Sequence, residues 1–132
     1  MHVALIDREE ALGRWDALAA SFAAPASFRR AAPDALEPLL AGGRVDALLL
    51  AVGNGIDAPG LMQRLRELSP ETLRVLVVPE DMAASGATAL GARCGAQQLL
   101  VEPLSEAEVR RVLRRLLTVR SLLTDKVLRA RL

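Results

Sequence analysis

Aromatic side chains are almost missing from this sequence. Among 132 residues the rings are Trp15, Phe22 and Phe28, and there is no tyrosine. A core must therefore be packed from Leu, Val, Ala and Ile. Cysteine is reduced to Cys94 alone, which excludes an intrachain disulfide and points to a reducing compartment. His2 is the one histidine, so no Ser/His/Asp set can assemble, and neither His2 nor Cys94 has companions at metal-ligand spacing. Gly53, Gly55 and Gly60 match neither a P-loop nor a dinucleotide-binding spacing, and Asn54-Gly55 reads as a tight turn. No apolar run approaches the roughly 20 residues that cross a bilayer, and the first residues lack a basic-then-apolar leader. These absences lead us to expect a cytoplasmic, non-enzymatic domain that uses no cofactor and no metal.

What is present is ordered. The length suits one domain able to bury roughly two thirds of its unfolded surface. Five apolar runs suit strands: residues 2–6, 27–31, 45–52, 74–78 and 97–101. The last three are continuous rather than alternating, as in a parallel sheet covered on both faces. Helical spacing fills the intervals, through Leu12, Trp15, Leu18 and Phe22, and then Leu61, Leu65 and Leu68 before Ser69-Pro70. Residues 34–41 begin with Asp34 as an N-cap but contain Pro38, which predicts a short or kinked helix. Residues 81–94 are rich in Ala and Gly and predict the least stable helix. Ser105 and Glu108 form a capping box that starts the last helix. This strand-helix alternation specifies an α/β fold, a doubly wound five-stranded parallel sheet with helices on both faces and an extended last helix. Its crevice lies beyond the carboxyl ends of the strands.

The residues at those ends carry a resemblance. "ALIDRE" closes the first strand, "VDALLLAVGNGIDAPGL" the third, "LSPETLRVLVVPE" the fourth and "GAQQLLVEPLSEAE" the fifth. Residues 2 to about 118 resemble the receiver domains of bacterial two-component response regulators. In that family two adjacent acids after the first strand hold Mg²⁺; Asp7 matches the first and Arg8 stands at the second. The phosphate-accepting aspartate corresponds to Ala51, the hydroxyl residue of the fourth strand to Pro79, and the lysine before Pro103 to Glu102. The switching aromatic of the fifth strand corresponds to Leu99.

Phosphoryl transfer to a carboxylate needs a nucleophilic oxygen, a divalent cation and cationic support for the developing charge. A methyl group, an arginine and a glutamate in those places predict a degenerate pocket formed by Asp7, Arg8, Ala51, Pro79, Glu102 and Pro103. Two arrangements fit Arg8: an internal ion pair with Asp7 and Glu102, or an exposed pair with Glu9 or Glu10. Asp46 begins the third strand at the far edge of the sheet, out of reach. Asp57 fits the start of a helix. Two other readings stay open: a receiver phosphorylated on a non-standard acid, Asp57 or Asp7, and a small-molecule sensor using the vacated crevice.

Charge is segregated. Residues 105–132 hold eight basic groups and three acids, a balance of +5 against −4 for the rest of the chain. Within them Val109, Val112, Leu116, Val119, Leu123 and Val127 follow the spacing of a coiled-coil seam, and Leu113 and Leu117 beside it can pack on the sheet. We expect a receiver-like domain over 1–118, and over 119–132 a helical linker that dimerises. No aromatic platform accompanies the arginines, so neither nucleic acid nor membrane is an expected partner. The expected function is that of a phosphorylation-independent pseudo-receiver. The resemblance implies an output domain after it, such as a histidine kinase, a nucleotide cyclase or a transcription activator.

Overall fold

The computed structural model describes residues 1–53, 55–83 and 86–131; for residues 83 and 120–131 the description covers the backbone alone. The strands are β1 (His2–Ile6), β2 (Ser27–Ala31), β3 (Ala47–Ala51), β4 (Leu73–Val78) and β5 (Gln98–Val101). The helices are α1 (Asp16–Ala20), α2 (Leu36–Ala41), α3 (Ala58–Leu68), α4 (Glu80–Ala83), α5 (Ala87–Cys94) and α6 (Glu106–Arg131). The strands form one parallel sheet in the order β2-β1-β3-β4-β5, with β3 at its centre and fully buried. The predicted fold class holds, and the strand ends fall within two residues of the expected runs.

Side chains alternate across the sheet, as a period of two requires. Val3, Leu5, Leu49, Ala51, Val75 and Val77 face one core, where Trp15, Leu18, Val109, Val112 and Leu113 cover them. Ala4, Ile6, Leu48, Leu50 and Leu76 face the other, under Leu36, Leu39, Met62 and Leu65. Helices α1 and α6 therefore lie on one face, and α2, α3 and α5 on the other.

Two helices and one cap depart from expectation, while α2, at six residues, is short as Pro38 predicts. The first is a 3-10 segment over Glu9–Trp15 before a short α1. Within that segment Leu12 and Trp15 stand three residues apart, and on a helix with three residues per turn they eclipse on one face. Asp34 makes no capping hydrogen bond; it lies inside a second 3-10 turn, Pro33–Ala35, that leads into α2. The weak helix between residues 81 and 94 is two pieces, α4 and α5. Gly86 takes φ +128° at the N-cap of α5 and Gly95 takes φ +66° at its C-cap, conformations that cost glycine little. Gly91 serves packing instead, since a Cβ there would come 3.2 Å from Leu99 Cδ2.

The capping box holds where it starts α6: the Glu108 N–H donates to Ser105 Oγ at 3.1 Å. The same helix corrects the predicted dimer seam. Val109 and Val112 are 0% and 7% exposed and belong to the core of their own domain. A stripe at 3-4 spacing is what any helix needs to dock on a sheet, so this spacing does not by itself signal a partner helix. Leu116 and Leu117 pack partly against that core, while Val119 is 50% exposed. The side chains of Leu123 and Val127, like Asn54, lie outside the described residues.

Candidate functional site

Four strands bring their carboxyl ends to one rim. Asp7 follows β1, Ala51 is the last residue of β3, Pro79 follows β4, and Glu102 follows β5 through a cis peptide to Pro103. The register makes these ends lateral neighbours: Ile6 pairs with Leu50, Ala51 with Val77, and Val78 with Val101.

Asp7 is 1% exposed, and its carboxylate is saturated with donors. Oδ1 accepts from the Arg8 backbone N–H at 2.7 Å. Oδ2 accepts from the buried Trp15 Nε1–H at 2.8 Å and from Arg14 Nε–H at 3.0 Å. Arg14 Nη2 also lies 2.9 Å from that oxygen and 3.1 Å from Glu102 Oε1, so one guanidinium ties the end of β1 to the end of β5. Its Cζ sits 4.6 Å from the centre of the Trp15 ring. The 3-10 segment places this pair: Arg14 and Trp15 are its last two residues, and both turn back onto Asp7.

The internal ion pair offered for Arg8 is therefore made by Arg14, and Arg8 takes the exposed alternative. Its Nη1 lies 3.7 Å from Glu10 Oε1. Arg8 leaves the strand with extended backbone, and its side chain crosses Gly53, where a Cβ would stand 3.6 Å from Nε. That buried Nε has no hydrogen-bond partner among the described residues. The signal missed in the sequence was Arg14-Trp15, a cation and an indole donor one short helical segment after a buried aspartate.

The other candidates have separate places. Ala51 is fully buried and presents only a methyl group. Pro79 is half-buried and Pro103 exposed. Asp57 caps α3 by accepting the Gly60 N–H at 3.1 Å, the helix-start role its position suggested. Asp46 lies at the opposite edge of the sheet, as expected, and accepts from the His2 backbone N–H at 2.8 Å and from Arg44 Nε–H at 2.8 Å. Beside the rim, Arg14, Trp15, Leu18, Glu80, Glu102 and Leu104 line a cleft of about 480 Å³.

No family model and no curated protein matches this sequence. Solved structures do. The signal receiver domain of an HD domain-containing protein from Pseudomonas fluorescens Pf-5 superposes with a TM-score of 0.70 at 22% identity, covering 94% of this chain and 91% of that one. The REC domain of AraT, a response regulator from Geobacillus stearothermophilus, gives 0.66 at 18% identity over 95% and 96%. A CheY-like response regulator receiver domain protein from Methanospirillum hungatei JF-1 gives 0.69 at 10% identity over 91% and 95%. The chain has the receiver fold.

The magnesium ion that the receiver fold implies does not suit the residues at this rim. A hard divalent cation needs several free oxygen ligands. Here Asp7 Oδ2 already faces a guanidinium, Glu102 shares that guanidinium, and Ala51 supplies no oxygen. Among the described residues no group of three His, Cys, Asp or Glu side chains could hold a metal ion. No described helix is long and apolar enough to cross a membrane.

Proposed function

We propose that this chain is a receiver-fold signalling module that works without phosphorylation and without enzymatic activity, by presenting one fixed surface to neighbouring domains. The observation that carries the reading is the Arg14 guanidinium seated between Asp7 and Glu102. Where a phosphorylatable receiver needs an ion to neutralise its acids, this rim holds its counter-ion covalently, as a side chain. Ala51 offers no nucleophile beside it. The degenerate pocket is thus Asp7, Ala51, Pro79, Glu102 and Pro103 closed by Arg14, with Arg8 at its margin. Incubation with acetyl phosphate or beryllofluoride and Mg²⁺ tests this. Intact mass and melting temperature should both stay unchanged; a stoichiometric adduct would overturn the proposal.

Residues 1–118 form the receiver unit in this reading, and 119–132 a helical linker toward an output domain of a signalling protein. The seam for a second copy starts at Leu116 and runs through Val119, Leu123 and Val127. Solution mass separates the possibilities: the full chain should be a dimer and a version ending at Leu117 a monomer. Two monomers would dismiss the seam.

The cleft beside Trp15 favours a second reading, a small-molecule sensor with its apolar contact at Leu18 and Leu104. A metabolite screen should then raise the melting temperature with increasing ligand, as binding to the native state alone requires. A screen without such a shift removes this reading.

A further inference from the structure

The α3–α5 face of the sheet holds a second feature that the rim chemistry does not use. A cleft of about 630 Å³ runs along α3 from its first turn to its last and is closed by the last turn of α5, lined by Pro59, Gln63, Arg66, Glu67, Arg93 and Gly95. That volume falls inside the range of roughly 300–1,000 Å³ typical of small-ligand sites.

Elsewhere on the surface most arginines are occupied: Arg30 pairs with Asp16, Arg64 with Glu37 and Arg110 with Glu106. Arg66 and Arg93, like Arg111 and Arg114 on α6, have no hydrogen bond or ion pair among the described residues, but only the first two line this cleft. A third cation stands close by: Arg74 Nε–H donates to the Gly95 carbonyl at 3.0 Å. Burial and the nearby Arg66 charge both push the Arg74 pKa down. Glu67 is the one carboxylate lining the cleft.

A favourable helix dipole accounts for arginines in the last turns of α3 and α5. It does not account for two guanidiniums, Arg66 and Arg74, meeting at one glycine, with Arg93 lining the same cleft and one carboxylate beside them. Gly95 makes the gathering possible: a Cβ there would lie 3.3 Å from Arg66 Nη1, so the missing side chain leaves room for that guanidinium against the backbone. Like charges held together raise the energy of the free protein, and a bound polyanion relieves it. Guanidinium forks match phosphate oxygens two at a time, and they do so better than any point charge.

We propose that the α3–α5 cleft binds a small organic polyphosphate, with its phosphate oxygens between Arg66 and Arg93 and its organic body against Pro59 and Ala92. This goes beyond the signalling role and stands independently of it.

Calorimetry and thermal melting at constant ionic strength provide the test, with inorganic tripolyphosphate and adenosine triphosphate as probes. Tripolyphosphate should bind saturably with one site per chain and raise the melting temperature. The triphosphate of adenosine should bind more tightly by about tenfold, the contribution of the body. The double variant R66A/R93A should lose at least about tenfold for both probes, while R111A/R114A, an exposed pair on α6, should leave binding unchanged. Arg66→Lys keeps the charge without the fork and should fall between the native chain and R66A. Absence of saturable binding overturns the site. Equal losses in the two double variants overturn it as well, since they would mark diffuse surface charge. Equal affinity for the two probes overturns the contact with Pro59 and Ala92.

Discussion

Two aspartates are buried at opposite edges of the same sheet. Asp7 closes the carboxyl rim and Asp46 the amino edge, at 1% and 6% exposure, and each pairs with an arginine and a backbone N–H. Their chemistry is nearly the same, yet their consequences differ. Asp46 bonds to the first strand and to Arg44 two residues away, so it fastens β3 to the chain's beginning. Asp7 gathers Trp15 and Arg14 from the 3-10 segment, and Arg14 reaches Glu102 on the far side of β3. One carboxylate joins neighbours; the other, through its cation, spans the carboxyl rim. Burial and pairing thus show that an acid matters to the fold, and what its partner touches next shows whether it matters to the site.

Removing each anchor should separate the two edges. Asp7→Ala leaves a buried indole N–H and a guanidinium without their acceptor. The native state should lose about 3 kcal/mol, seen as a lower urea midpoint at unchanged slope. Asp46→Ala should lose less, about 2 kcal/mol, because the exposed Arg44 regains water.

Acid sharpens the contrast further. Burial alone would raise the Asp46 pKa, but the His2 N–H, Arg44 and the terminal ammonium outweigh it and hold the carboxyl below its ordinary value. A depressed pKa contributes stability that is present above about 3.9, the unfolded value, and is lost as pH falls through the lower folded value. Urea midpoints between pH 5 and pH 2 should therefore fall less steeply in Asp46→Asn than in the native chain.

The two arginines at the rim make a finer comparison. Arg14→Ala should cost about 1 kcal/mol, restrained by solvent that reaches 45% of its side chain, whereas Arg8→Ala should stay below about 0.5 kcal/mol. Equal effects would break the assignment of the rim cation to Arg14. The smallest expected signal comes from Cys94. Burial raises its thiol pKa, with Asp57 adding and Arg93 opposing, so iodoacetamide should label it in urea and scarcely in the native state.

Much of this was legible in the residues. Continuous apolar runs located the sheet because a strand covered on both faces has no polar side to show. The end of β3 at Ala51 could be read because glycine follows two residues later. Arg14 could not be read so, because its reach depends on the pitch of the segment beneath it. The same seven residues wound as an α-helix would present a different face to Asp7. Val109 and Val112 were misread for a related reason: a periodic stripe reports that a helix is covered on one side, and the covering surface is chosen by tertiary packing.

Helix α6 starts at the rim, is rooted by Val109, Val112 and Leu113, and continues without a break to Arg131. Beyond Leu113 it extends about 27 Å at 1.5 Å per residue. Mechanically it is a lever with a short fulcrum, fixed a few residues from Glu102. A tilt of about 10° at the root would displace the far end by about 5 Å over that length, so the packing that holds the root still also sets where the far end points.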